Sequence, residues 1–234
     1  MVKGGTRLVC AATLVATYIG AAEATPLIVA EGGKARASIV LAAEPTADER
    51  AAAELLQSYL GKVTAATFTI CAEAEFRGGP ALWVGPTARA RRACVVADKL
   101  AAEQWLCRRA DDGLLLVGGR PRGTYYAVAT FLESDCGVHW WTPWEEEVPA
   151  RPQLTVGDVK REGRPCFALR DIYHTCLPGD LPRSNGDTYV LANKRCGGTS
   201  AYRPFGAALD WAQPGVHTTF FYLSPDKYGT AHPD

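Results

Sequence analysis

The chain has 234 residues, enough for one large domain or two small ones with a packed core. Lysine and arginine together number 25, as do aspartate and glutamate, so the formal net charge is zero. This neutrality argues against a nucleic-acid binder that depends on neutralising phosphates.

The first two dozen residues differ in kind from the rest. Lys3 and Arg7 precede an apolar run from Leu8 to Ala22, and Ala22-Glu23-Ala24 supplies a small-x-small pattern. This arrangement is typical of a secretory signal peptide with its cleavage site. A membrane span needs about 20 apolar residues, and this run is shorter. We therefore expect residues 1–24 to be removed and the protein to be periplasmic, cell-surface or extracellular, without stable membrane insertion.

The chain contains eight cysteines, one of which, Cys10, lies in the expected signal. The remaining cysteines are odd in number and cannot all pair. None forms a C-x-x-C or a zinc-type Cys/His spacing, so we expect no metal and no other cofactor. An exported protein is compatible with one or two disulfides, whose connectivity the sequence does not give. Cys94 and Cys136 lie on apolar helix faces, where a buried free thiol is the commoner outcome.

In chain order, Ala37 to Ala42 predicts a short buried strand. Thr46-Ala47-Asp48-Glu49 then matches a capping box, in which the Thr and Glu side chains satisfy backbone donors at a helix start. We expect this helix to end at Gly61. Its apolar face is formed by Ala52, Leu55, Leu56, Tyr59 and Leu60.

Four further strands and a second helix follow. The strands are predicted at Thr67 to Cys71, Ala81 to Gly85, Gln104 to Arg108 and Gly113 to Gly118, and the helix from Thr87 to about Ala97. Asp111-Asp112-Gly113 is typical of a hairpin turn between the last two strands.

The stretch from Gly118 to Pro149 predicts a glycine turn, an amphipathic helix, a short aromatic strand and an acidic turn. Pro121 suits the helix start and Gly137 its end. One apolar stripe must cover a sheet, and it contains Tyr125, Val128, Ala129, Leu132 and Cys136. The order of elements favours an α+β fold of two layers, in which helices cover one face of a mixed or antiparallel sheet.

The composition changes after this stretch. Ala150 to Pro165 is rich in proline, glycine and charge, which indicates a connection. A further strand is expected to begin at Cys166.

Six runs between residues 35 and 160 carry a family resemblance: Gly118 to Val128, Phe131 to Glu133, Gly137 to Pro143, Glu145 to Pro149, Leu55 to Leu60 and Leu82 to Thr87. Together they resemble the small N-terminal domain of glycoside hydrolase family 20 enzymes and of family 67 α-glucuronidases. The resemblance is strongest to the exported bacterial proteins of domain of unknown function 4838, in which this module precedes a barrel-like domain.

Together with the expected signal peptide (1–24), the resemblance implies an N-terminal α+β domain (25–160) and the incomplete start of a (β/α) barrel-like domain (161–234). A complete barrel takes about 250 residues, and the catalytic Asp-Glu pair of family 20 lies on a middle barrel strand. We therefore expect the N-terminal part of an exported, glycoside-hydrolase-like protein. Its small domain would be non-catalytic, and a glycan would be the partner of the full-length protein. The competing hypothesis is a non-catalytic polysaccharide-binding or scaffolding module.

The resemblance also points to residues near the barrel start. Arg170 matches the arginine that binds sugar hydroxyls in family 20, and Asp171 and His174 follow it. A strand end is where barrels place working groups. The alternative is that Arg170 and Asp171 merely close a domain interface. His217 and Asn193 are weaker candidates.

Among the aromatic residues, Trp141 and Trp144 are candidates for sugar stacking, beside His139 and Trp140. The alternative places one tryptophan in the core and the others at an interface with the next domain. Glu145 to Glu147 resemble paired carboxylates, but a consecutive run in a turn is usually a solvated face. The turn from Gly118 to Gly123 fits neither G-x-G-x-x-G nor the P-loop, so we interpret it as a helix start.

Overall fold

The computed structural model describes residues 25–111, 113–168, 170, 186–195 and 226, so the expected signal peptide lies outside the described part. The strands, in chain order, are β1 (Leu27–Glu31), β2 (Lys34–Ala35), β3 (Ser38–Leu41), β4 (Ile70–Ala72), β5 (Ala81–Val84), β6 (Trp105–Ala110), β7 (Gly113–Gly118), β8 (His139–Trp140), β9 (Glu146–Glu147), β10 (Leu154–Val156) and β11 (Lys160–Gly163). The helices are α1 (Ala47–Thr64), α2 (Ala88–Arg92), α3 (Gly123–Ser134) and α4 (Gly186–Ala192), with a 3₁₀ turn at Ala97–Lys99.

A six-stranded mixed sheet with the order β11-β6-β7-β5-β3-β4 forms the centre of the fold. Strands β4, β3, β5 and β7 run parallel, whereas β6 is antiparallel to β7 and β11 is antiparallel to β6. Outside it, β1 pairs with β2 and β10, and β8 pairs with β9. The α+β fold with a mixed sheet is thus confirmed.

The capping box forms as predicted at the start of α1. The Thr46 amide donates to Glu49 at 2.8 Å, and the Glu49 amide donates to the Thr46 hydroxyl at 3.3 Å. The helix continues past Gly61 because Val63 and Thr64 are also buried, and it ends where Ala65 adopts a left-handed conformation with φ of 60°.

The two long helices, α1 and α3, lie on the same face of the central sheet. There they enclose a core with Ile39, Leu82 and Leu114. Every residue from Gly123 to Leu132 is buried, because α3 contacts not only β6 and β7 of the sheet but also α1 and α4. The single apolar stripe predicted for α3 is therefore too narrow a description.

The opposite face of the sheet carries a smaller core. Trp83, Leu115 and Val117 pack there against Ala90 of α2 and Val95 beyond it. Helix α2 ends at Arg92, earlier than expected.

The connection expected from Ala150 to Pro165 is wrong, since this segment contains β10 and β11. Strand β10 pairs with β1, and β11 extends the central sheet through Gly163. The sequence does not predict β11, because it is a polar edge strand without apolar alternation. Cys166 to Ala168 lie outside regular strands, and most of the expected barrel start falls outside the described residues.

Candidate functional site

Three of the five residues expected to bind substrate are described, namely Arg170, Trp141 and Trp144. Asp171 and His174 lie outside the described residues, as does His217.

Arg170 sits within a polar network, with its side chain only 16% exposed. Its donors reach the carbonyls of Lys194 (2.5 Å), Phe167 (2.5 Å) and Ala168 (3.2 Å), a carboxylate oxygen of Glu103 (2.7 Å) and the hydroxyl of Tyr126 (3.0 Å). A guanidinium has five N–H groups, and all five are engaged here. A sugar hydroxyl bound by Arg170 would have to displace one of these acceptors.

Glu103 is the centre of this network. Its carboxylate accepts from Arg122 at 2.5 Å and from Arg170 at 2.7 Å, and its side chain is 10% exposed. Burial raises the pKa of Tyr126 above its usual range, and the charge of Glu103 adds to the effect. Tyr126 therefore stays protonated at neutral pH. The network ties the loop before β6 to the start of α3 and to residue 170.

The three tryptophans near β8 divide between core and surface. Trp140 is buried and donates from Nε1 to the Tyr59 hydroxyl at 2.8 Å. Trp141 and Trp144 are 56% and 59% exposed. The His139 ring stacks on Trp141 with centroids 4.8 Å apart and planes 18° apart. The expected division is therefore present, and two indoles are left facing outward.

The acidic turn does not present three equivalent carboxylates. Glu145 and Glu147 are exposed, whereas Glu146 accepts from Tyr59 at 2.5 Å and from Lys62 at 2.6 Å. The middle carboxylate thus attaches the β8–β9 hairpin to α1.

The glycine turn before α3 is a site of close backbone packing. A Cβ on Gly118 would lie 2.0 Å from the backbone carbon of Gly123, and one on Gly123 would lie 2.3 Å from the Gln104 carbonyl oxygen. The Gly119 amide already donates to Gln104 at 2.8 Å. These glycines permit the turn and the start of α3, which agrees with the structural interpretation.

A crevice of about 380 Å³ lies at the carboxyl ends of the parallel strands β3 and β5. Its charged lining residues are Glu44, Glu73, Asp98, Arg91 and Arg120. Glu73 accepts from the backbone amides of residues 88 and 89, and Arg120 donates to Glu49 at 3.1 Å. Both signs of charge are present, and several of these groups already serve the fold.

A second pocket, of about 400 Å³, was not found from the sequence. It lies where β6 begins, β11 ends and the chain leaves α4. Its lining includes Trp105, Arg164, Lys194 and Arg195, together with Arg170. No local motif joins these residues, since they come from three separate segments.

Asn193, a weaker candidate, has a structural role. Its Nδ2 donates to the carbonyl of Trp140 at 3.1 Å and to that of Tyr189 at 2.8 Å. These bonds fasten the end of α4 to β8.

The five described cysteines are free thiols: Cys71, Cys94, Cys107, Cys136 and Cys166. Burial raises the pKa of Cys107 to about 12 and also raises that of Cys136, so both buried thiols stay protonated. The expectation that Cys94 is buried is wrong. It lies just beyond α2 at φ 60°, where the chain has already turned away from the core, and it is exposed.

Two further properties concern the described ranges alone. No three His, Cys, Asp or Glu side chains there come together in a way that would hold a metal ion. No helix there has both the length and the apolar character needed to cross a bilayer.

Comparison with known proteins gives similarity only among solved structures. No family model matches the chain, and no curated protein matches it. A family GH115 4-O-methyl-α-glucuronidase with specificity for decorated arabinogalactans is 18% identical, with a TM-score of 0.48, over 62% of this chain and 19% of that one. A mutant β-hexosaminidase of Streptomyces plicatus in complex with its product GlcNAc is 15% identical, with a TM-score of 0.42, over 63% of this chain and 25% of that one. The chain spans a quarter or less of the length of these proteins.

Proposed function

We propose that residues 25–163 form the non-catalytic small domain of an exported, glycoside-hydrolase-like protein. The boundary lies after Gly163, because β11 belongs to the central sheet, and the domain supports a barrel-like, glycan-acting domain that follows it. The resemblance of Gly118 to Pro149 to the family 20, family 67 and domain of unknown function 4838 proteins supports this proposal. The sequence before residue 25 supports export.

The roles of the carboxylates support a non-catalytic domain. A glycosidase needs two carboxyl groups about 5 to 9.5 Å apart across a cleft. In this domain five carboxylates make bonds that hold the fold together. They are Glu49 with Arg120, Glu73 with the start of α2, Glu103 with Arg122, Asp135 with Arg161, and Glu146 with Tyr59.

One observation carries the proposal of a supporting domain, namely the outward exposure of Trp141 and Trp144 beside a buried Trp140. Large exposed indoles are typical of surfaces that contact another domain or a ligand. A neighbouring barrel-like domain that packs on the β8–β9 hairpin would cover them.

An enzymatic assay tests the non-catalytic role. The chain from residue 25 onward should not cleave a chromogenic N-acetylhexosaminide or glucuronide above background. Cleavage that persists after repurification, and that Glu145→Gln or Glu147→Gln abolishes, would contradict the proposal.

The stacking of His139 on Trp141 favours a second candidate function, direct binding of a polysaccharide. The imidazole covers one face of the indole and holds it in place, and an ordered indole face is a suitable platform for a sugar ring. On a glycan array, this candidate predicts binding that Trp141→Ala and Trp144→Ala remove. Phe167→Ala, a change at another exposed aromatic residue, is the matched control. Equal signals from all variants would leave the interface role in place.

A further inference from the structure

The second pocket, between β6, β11 and the end of α4, is cationic. Arg164, Arg170, Lys194 and Arg195 line it, and none of its described lining residues is acidic. This differs from the crevice at the strand ends, where both signs of charge occur. Its volume of about 400 Å³ lies within the usual range for small-ligand sites, about 300–1,000 Å³.

The indole of Trp105 forms one wall of this pocket, and a glycine in the neighbouring strand β11 leaves space for it. Trp105 lies directly opposite Gly163 in the β6–β11 register. A Cβ on Gly163 would lie 2.6 Å from Cζ2 and 2.9 Å from Cε2 of the indole. Only glycine therefore lets the indole lie across β11 at this point.

The cations of the pocket are not equally neutralised. Arg170 is paired with Glu103 at 2.7 Å. Lys194, Arg164 and Arg195 form no ion pair with the described residues. Lys194 instead lies 5.9 Å from the centroid of the Trp105 ring, and Arg195 lies 4.9 Å from that of Tyr189.

Burial destabilises the charged form of Lys194 when no anion is bound nearby. Burial lowers its pKa, although the charge of Glu133 opposes this effect. A desolvated ammonium beside other cations gains from a bound anion, because removing both charges from water strengthens their attraction.

We propose that this pocket binds an acidic sugar unit. The sugar ring would lie against the Trp105 indole, and the sugar carboxylate would face Lys194, Arg164 and Arg195. The indole supplies an apolar face for the ring, and the cations supply charge-assisted hydrogen bonds to the carboxylate. The choice of a sugar over another anion rests on the proposed function. The residues of this pocket are distinct from Trp141 and Trp144.

Titration calorimetry or NMR of the chain from residue 25 onward tests the inference with three probes: glucuronic acid, glucose and sodium sulfate. We expect glucuronic acid to bind more tightly than either of the others, because only it uses both the indole and the cations. Glucose binding as tightly as glucuronic acid would overturn the role of the cations. Sulfate binding as tightly as glucuronic acid would overturn the role of the indole.

Variants assign the binding to the pocket. Lys194→Gln should weaken glucuronic acid binding on the order of tenfold, as expected for loss of a charged hydrogen bond. Lys62→Gln is the matched control, since Lys62 also lies over an aromatic ring, 4.2 Å from the centroid of Tyr59, but elsewhere. Equal affinities for wild type and Lys194→Gln would overturn the proposal.

The indole is tested by Trp105→Phe, which keeps an aromatic ring, and by Trp105→Ala, with circular dichroism to establish folding. Binding should fall in this order for folded variants. Trp141→Ala and Trp144→Ala should leave glucuronic acid binding intact. The proposed function and this inference can therefore fail separately: cleavage of a chromogenic substrate contradicts the first, and unchanged binding in Lys194→Gln contradicts the second.

Discussion

Two carboxylates, Glu103 and Glu146, make similar sets of contacts in different surroundings. Glu103 accepts from two arginines and a tyrosine, and it is 10% exposed. Glu146 accepts from Lys62 and Tyr59, and it is 28% exposed. Each attaches one of the long helices, α3 or α1, to a segment distant in sequence.

The difference between them lies in how much water remains to replace a lost partner. A buried ion pair contributes little net stability, but removing one partner leaves an uncompensated buried charge. At a partly exposed pair, water takes over much of the lost interaction. Burial, rather than the number of bonds, should therefore decide the effect of a substitution.

The largest effect is expected for Glu103→Gln. It leaves Arg122, whose side chain is 5% exposed, without its counter-charge, and the free energy of unfolding should fall by about 3–5 kcal/mol. Urea denaturation measures this change. Glu133→Gln, at an exposed position, is the control, and a loss for Glu103→Gln as small as that of the control would break the comparison.

Asp48 lies in the same buried region as Glu103 and Arg122, and it tests the effect of burial through pH. Burial raises its pKa from 3.8 to about 6, Arg122 opposes the rise, and Glu49 and Glu103 add to it. Because the pKa of Asp48 is higher in the folded protein than in the unfolded one, its protonation stabilises the fold. This stabilisation is fully present below pH 3.8 and is lost as the pH rises through 6. In Asp48→Asn, the unfolding free energy relative to wild type should rise by about 1–3 kcal/mol between pH 4 and pH 7. A difference that stays constant with pH would contradict the assignment.

Tyr59→Phe tests the contacts around Glu146 at their buried end, where Tyr59 meets Trp140. The substitution removes the acceptor of Trp140 Nε1 and the donor to Glu146. We expect a loss of about 1–2 kcal/mol in urea denaturation. Tyr189→Phe, at a partly buried position, serves as the control, and an equal effect of the two would count against the network.

The smallest effect is expected for Glu146→Gln. Its partner Lys62 is partly exposed, so the loss should be below about 1 kcal/mol and should shrink at high salt. A loss as large as that of Glu103→Gln, insensitive to salt, would show that exposure does not govern the two sites.

Local features of the fold follow from the sequence, and long-range ones do not. The capping box at Thr46 and the strand from Gly113 to Gly118 depend on neighbouring residues, and both were predicted correctly. Strands β1 and β10 are short and pair across more than a hundred residues of sequence, so neither has a local signal that identifies the other.

The same limit applies to the candidate site. Alternation along His139-Trp140-Trp141 predicts that one indole is buried and the next exposed, as found. Arg170 was found by resemblance, but its engagement with Glu103 and Lys194 depends on loops that meet only in the fold. Trp105 and Lys194 have no pattern in common, so the cationic pocket required the structure.

The pairing of β1 with β10 has a consequence for the order in which the chain can fold during synthesis. Leu27 lies opposite Val156, and the Thr25 carbonyl accepts from Arg109, whose amide in turn donates to Val159. Strand β1 therefore has no partner on this side until β10, nearly the last of the described strands, has been synthesised, and until then its free edge is available for pairing with other chains. A truncated protein that stops after α3 would lack both β10 and β11, which leaves that edge exposed and the central sheet incomplete, so residues through Gly163 set the minimal length of the domain.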